Sequence, residues 1–140
     1  MSKDYFNTIH LLITKGHWIT DQVSKDLKEY GISEPQYNVM RTLVEAKGTP
    51  LSVQEVQAKM VQPGSNVTRI VDKLQNKGLV ERCECPSNRR RMDLTLTEEG
   101  KTFLKKLDRK VAIIHKPIMK KLNESELESL RYLLGKINRD

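Results

Sequence analysis

The spacing of apolar positions changes several times along the chain, and each change marks a new element. From Asp4 to about Tyr30 they recur every three or four residues. Phe6, Ile9 and Ile13 form one row, and Leu12, Ile19, Val23, Leu27 and Tyr30 a second, as in a long amphipathic helix. Gly31 follows in the favoured stop position. Ser33 before Glu34-Pro35 predicts a capped second helix to about Ala46, with Tyr37, Met40, Leu43 and Val44 inward. Ser52-Val53-Gln54-Glu55 has the form of a capping box and opens a short helix to Met60. Gln62-Pro63-Gly64-Ser65 then turns the chain into a fourth helix, from about Ser65 to Asn76, closed by Gly78. A short helix, a tight turn and an amphipathic helix make a helix-turn-helix.

The period then drops to two. Leu79 to Glu84 and Arg91 to Leu96 read as strands, with Met92, Leu94 and Leu96 alternating against Arg91, Asp93 and Thr95. Between them, Cys85-Pro86-Ser87-Asn88-Arg89-Arg90 is a basic hairpin loop shaped like a wing. Thr97 caps a further helix carrying Phe103, Leu104, Leu107, Val111 and Ile114, which Pro117 is expected to end or kink. Asn123 caps a last helix with Leu127, Leu130, Leu133, Leu134 and Ile137. The expected fold is mainly α with a small β-hairpin wing. A winged helix-turn-helix lobe (33–98) is placed between an N-terminal dimerisation helix (1–32) and C-terminal dimerisation helices (99–140).

The dimerisation assignment comes from apolar rows with no place in a minimal winged helix: Phe6, Ile9 and Ile13, and Leu127, Leu130, Leu134 and Ile137. Large apolar rows left over after the core usually mark an interface. The two helices could instead cover each other within one subunit. A two-fold reading head is favoured, because doubling the contacts multiplies specificity over competing sites.

Charge sharpens the picture. The formal net charge is +7, and from Pro63 to Arg91 seven basic residues face three acids, against 18 and 15 over the remainder. A positive field concentrated on one segment favours a polyanion. On the fourth helix Val67, Ile70, Val71 and Leu74 face inward, while the opposite side offers Ser65, Arg69, Asp72 and Asn76, with Gln62 in the turn and Asn66, Thr68 and Lys73 flanking. Amides, hydroxyls and a forked guanidinium suit base edges in a major groove, and Lys73 suits a phosphate. Asp72, three residues beyond Arg69, is expected to orient it. Arg89, Arg90 and Arg91 at a hairpin tip suit a narrow minor groove.

The run Asn66-Val67-Thr68-Arg69-Ile70-Val71-Asp72-Lys73-Leu74-Gln75-Asn76-Lys77-Gly78-Leu79-Val80-Glu81-Arg82, then Arg90 and Leu96-Thr97-Glu98-Glu99-Gly100, resembles the MarR family of regulators. The resemblance implies a homodimer with interlocked first and last helices, two winged lobes reading a pseudo-palindromic operator in double-stranded DNA, and Arg90 in the minor groove. The family's wing carries an Asp two residues before that Arg; here it is Asn88, so Arg89 or Arg91 could share the role. The resemblance also implies a repressor released by a small aromatic effector bound between dimerisation helices and reading lobe, with His17, Trp18, Tyr37 and Met40 as candidate pocket residues.

Cys83 and Cys85 offer two thiols where zinc usually takes four donors. A redox- or metal-responsive regulator working through them, and a winged helix that grips an acidic protein, are the rival readings. No phosphate-cradling glycine loop, spaced metal set or Ser-His-Asp grouping appears, so neither an enzyme nor a cofactor is expected. No apolar run can span a bilayer and the first residues lack a secretory layout, so the cytoplasm is the expected location.

Overall fold

The computed structural model describes residues 1–138. Ser2 accepts a hydrogen bond from the Tyr5 amide (3.1 Å) and starts α1 (Lys3–Lys28), which buries only Val23 and Leu27 near its far end. Ser33 and Gln36 close a reciprocal capping box on α2 (Glu34–Glu45), and Ser52 and Glu55 do the same for the six-residue α3 (Val53–Ala58). The helix-turn-helix continues into α4 (Val67–Asn76), which starts two residues later than expected; Asn66 is the cap and accepts from the Arg69 amide at 3.1 Å.

A three-stranded antiparallel sheet follows, built from β1 (Leu51–Ser52), β2 (Val80–Cys85) and β3 (Asn88–Leu96) in the order β1-β3-β2. The two-residue β1, with Leu51 opposite Leu94, was not expected. The first hairpin strand is shifted by one residue from the expected Leu79 to Glu84, and the second begins three residues earlier than its alternation indicates. Only Pro86 and Ser87 remain as the turn, so the arginines sit on the strand itself, after a register irregularity at Glu84/Cys85.

The chain closes with α5 (Glu98–Met119), capped by Thr97, and α6 (Glu124–Gly135), capped by Asn123. Pro117 does not stop α5, which runs two residues past it. At that point the carbonyl deprived of a partner belongs to Ile113, an exposed residue whose backbone can be hydrated. Leu27, Met40, Leu74, Leu94, Leu104 and Leu107 are almost wholly buried and form one core from the end of α1, α2, α4, the sheet and the first half of α5. Tyr37 O–H donates to Asp108 (2.6 Å) and Arg41 pairs with the same carboxylate (3.0 Å), tying α2 to α5.

The other ends of α1 and α5, and all of α6, contribute nothing to that core. Phe6 and Ile13 are more than half exposed, Ile9 is partly covered, and α6 buries no residue while Leu127, Leu130, Leu134 and Ile137 remain open. The terminal helices therefore do not cover each other within this chain.

Candidate nucleic-acid interface

The α4 helix docks through Val67, Val71 and Leu74, all buried, which turns its polar side outward. Its entry is held by Gln57, whose side-chain amide donates to the Pro63 carbonyl (2.8 Å). Its exit is held by Gly78, whose positive φ of 74° redirects the chain into β2. Arg69 and Lys73 face outward in a shallow depression of about 440 Å³ with Gln62, Ser65 and Asn66. Ser33, Pro35 and Gln36 from the start of α2 line the same depression. A second cleft, about 490 Å³, is bounded by Gln54 of α3, Thr68 of α4, and Asn88, Arg90 and Arg91 of β3. The α4 helix and the β2–β3 hairpin thus border one cleft, so the two expected contact elements share a surface.

The three wing arginines are not equivalent. Among the described residues Arg69, Arg89 and Arg90 enter no ion pair, whereas Arg91 meets Glu55 at 2.8 Å and Asp93 at 2.7 Å. The hydrogen bonds it donates to Asp93 and then to Glu55 hold the Arg91 guanidinium more firmly protonated, and those that Glu55 accepts from Arg91 hold its carboxyl below the usual carboxylate range. Arg91, expected beside Arg89 and Arg90 as a DNA contact, is committed within the protein. Asn88 accepts from the Arg90 backbone amide (3.0 Å), which shapes the start of β3 and leaves the Arg90 guanidinium free.

Asp72 also departs from expectation. It pairs with Arg82 of β2 and not with Arg69. Arg82 donates further to Gln75 (3.0 Å) and to the Thr68 carbonyl (3.3 Å), so its guanidinium straps α4 to the sheet along almost two turns. The reason is geometric: Arg82 approaches from outside the helix with a whole fork of donors, and Arg69 is left to project. The polar residues missed from sequence (Gln36, Gln54, Glu55 and Arg82) lie on elements whose inward faces alone were legible. For Glu55 the capping box was the available signal.

Among the described residues, the four candidate pocket residues line none of the main cavities. Met40 is closed in the core, the Tyr37 hydroxyl is engaged with Asp108, and His17 and Trp18 stand exposed on α1. A cavity of about 890 Å³ lies elsewhere, between the end of α1, the exit of α4 and the start of α5. Tyr30, Leu79 and Phe103 line it together with four cations, Lys77, Lys105, Lys106 and Arg109, and one acid, Glu99. Lys77 donates to the Gly31 carbonyl across this gap, and the Lys106 ammonium lies 5.2 Å from the Tyr30 ring centroid. Cys83 is exposed, Cys85 is half-buried with its sulfur 3.2 Å from the Ser87 hydroxyl, and no cluster of three metal-ligating side chains occurs among the described residues. Nor is any described helix long and apolar enough to cross a membrane.

A sequence model of the MarR family matches residues 30–91. The HTH-type transcriptional regulator PrsX of Escherichia coli is 31% identical over 129 residues, spanning 92% of this chain and 78% of its own. Among solved structures, AbsC, a MarR family transcriptional regulator from Streptomyces coelicolor, superposes with a TM-score of 0.87 at 22% identity, over 98% of this chain and 93% of its own. A mutant MarR from E. coli complexed with operator DNA superposes with a TM-score of 0.75 at 25% identity, over 98% and 95% of the two chains.

Proposed function

Because the chain belongs to the MarR family of transcription regulators, we propose that it is a cytoplasmic, homodimeric repressor that reads a pseudo-palindromic operator. The carrying observation is the cleft bordered by both Thr68 of α4 and Arg90 of β3. On this reading α4 lies in the major groove, with Gln62, Ser65, Asn66, Thr68 and Arg69 toward base edges and Lys73 on a phosphate. Arg90, helped by Arg89, enters the adjoining minor groove, where the phosphate potential is most negative. A second copy covers the bare apolar rows of α1 and α6 and places an identical reading head about one helical turn (roughly 34–36 Å) away.

Release is assigned to the cavity beside Tyr30 and Phe103. An aromatic lining among a surplus of cations suits a small aromatic anion. Such a ligand would compete for the Lys77 ammonium that now bridges α4's exit to the end of α1.

The test separates base reading from phosphate contact. Duplexes selected from a random pool define a preferred sequence, against which variants are compared with random duplex over a salt series. Arg69→Ala is expected to cost on the order of 1–3 kcal/mol on the preferred duplex and to relax one base pair. Lys73→Ala is expected to weaken both duplexes alike and to flatten the salt slope by about one. Identical effects of the two substitutions on both duplexes would refute the assignment.

A further inference from the structure

The geometry points to Arg91 and Glu55 as a strut that fixes the wing's distance from the helix-turn-helix, with Arg91 a positioning residue rather than a DNA contact. Arg91 forks onto both oxygens of Glu55 (2.8 and 3.3 Å) while its Nε–H donates to Asp93 (2.7 Å). The Asp93 side chain is only 12% exposed, and Arg91 is its one ion-pair partner among the described residues. Swinging Arg91 out to a phosphate would leave that carboxylate buried, unpaired and facing a second acid. A stranded buried charge of this kind is strongly unfavourable.

Glu55 is equally tied down. One of its oxygens accepts from the Ser52 amide (3.3 Å) to complete the α3 capping box, and Ser52 lies opposite Asp93 in the β1–β3 register. The same carboxylate therefore fixes the start of α3 and, through Arg91, the point on β3 immediately after Arg90. Gln54 and Arg90, the sequence neighbours of Glu55 and Arg91, line the cleft that the duplex would occupy; Arg91 lines it too, with its guanidinium engaged by the two acids. The strut determines how far apart the two sides of that cleft stand. The inference rests on the reading of Arg90 as the wing's contact, so the test interrogates each separately.

Glu55→Gln is the informative substitution, because glutamine still serves a capping box while the ion pair is lost. Affinities for the selected and the random duplex are measured for Glu55→Gln, Arg91→Lys, Arg90→Ala and the Glu55→Gln/Arg90→Ala double variant, each after a thermal melt. The strut predicts that Glu55→Gln lowers the selected-to-random affinity ratio by about tenfold, in line with the loss of one good specific contact. Random-duplex affinity should hold or rise, since an acid has left the DNA face. Arg91→Lys should lower the ratio similarly, because lysine keeps the charge and loses the fork; it also carries the comparison if Glu55→Gln fails to fold.

A direct contact from Arg91 predicts the opposite sign, as Glu55→Gln would free the guanidinium and raise affinity for both duplexes. That result, or an unchanged ratio in both Glu55→Gln and Arg91→Lys, overturns the strut. Where Arg90→Ala itself lowers the ratio, Glu55→Gln should add little in its background; full additivity also overturns the proposal, since the pair then acts without the wing. If Arg90→Ala is silent, the Arg90 reading fails, and Glu55→Gln and Arg91→Lys against the wild type decide the strut by themselves.

Discussion

Gly100 is the position where one added methyl group should do the most damage. It lies in the first turn of α5, and a Cβ built on it falls 2.1 Å from the Leu79 carbonyl oxygen and 3.0 Å from its carbon. Carbon–oxygen contacts between backbones normally sit at about 3.3–3.6 Å, so Gly100→Ala must push α5 and the α4 exit apart by roughly an ångström. Both obstructing atoms are backbone, and neither can rotate away. The movement acts on the bonds that join the two elements: Thr97 N–H to the Leu79 carbonyl (3.1 Å) and Thr97 O–H to the Gly78 carbonyl (2.7 Å). Overpacking costs about 1–3 kcal/mol and each weakened hydrogen bond about 0.5–1.5 kcal/mol. The expected loss is therefore about 4 kcal/mol, a fall in Tm on the order of 10 °C at the usual sensitivity for this chain length. The assay is thermal unfolding at fixed protein concentration, followed by DNA affinity, which should also fall because α4 shifts against α5. The sign makes the test strict. In a helix without this contact, Gly→Ala stabilises by about 1 kcal/mol, so an unchanged or raised Tm would refute the close approach.

Two further outcomes are expected. Leu130→Asp, on the bare face of α6, should convert dimer to monomer in sedimentation and abolish operator binding while leaving the core-dependent near-ultraviolet signal intact; a dimer of unchanged affinity would show that α6 pairs with nothing. The Glu55 carboxyl is held below its ordinary range by Arg91, so its contribution to stability is complete above the ordinary glutamate pKa and is lost as the pH falls below it. Glu55→Gln should flatten that acid limb of the stability–pH curve, and superimposable limbs for the two proteins would count against the ion pair.

The parts of the fold legible from sequence were those where one face is buried. The Val67, Val71 and Leu74 row could be read because α4 packs on a single side, and Ser33, Ser52, Thr97 and Asn123 announced helix starts through local hydrogen bonding. What escaped was set by partners distant in the chain. The two residues of β1 are too few to show a period. Arg91, Asp93 and Thr95 were read only as the polar positions of the strand's alternation, with Arg91 toward DNA, yet α3 brings Glu55 over that side and leaves Asp93 buried. Asp72 had two arginines within reach, three and ten residues away, and sequence spacing favoured the nearer, whereas strand β2 delivers Arg82. Met40 illustrates the same limit for the ligand pocket, since helical phase places it inward without distinguishing core from cavity.

The uncovered leucines of α6 carry a consequence for dosage. If only a second chain shelters them, then at low concentration the population of competent reading heads grows with the square of the amount synthesised, and the stability of the terminal helices is inseparable from copy number. A modest change in expression would then alter promoter occupancy more than proportionally, giving the regulator a threshold before any signal molecule arrives.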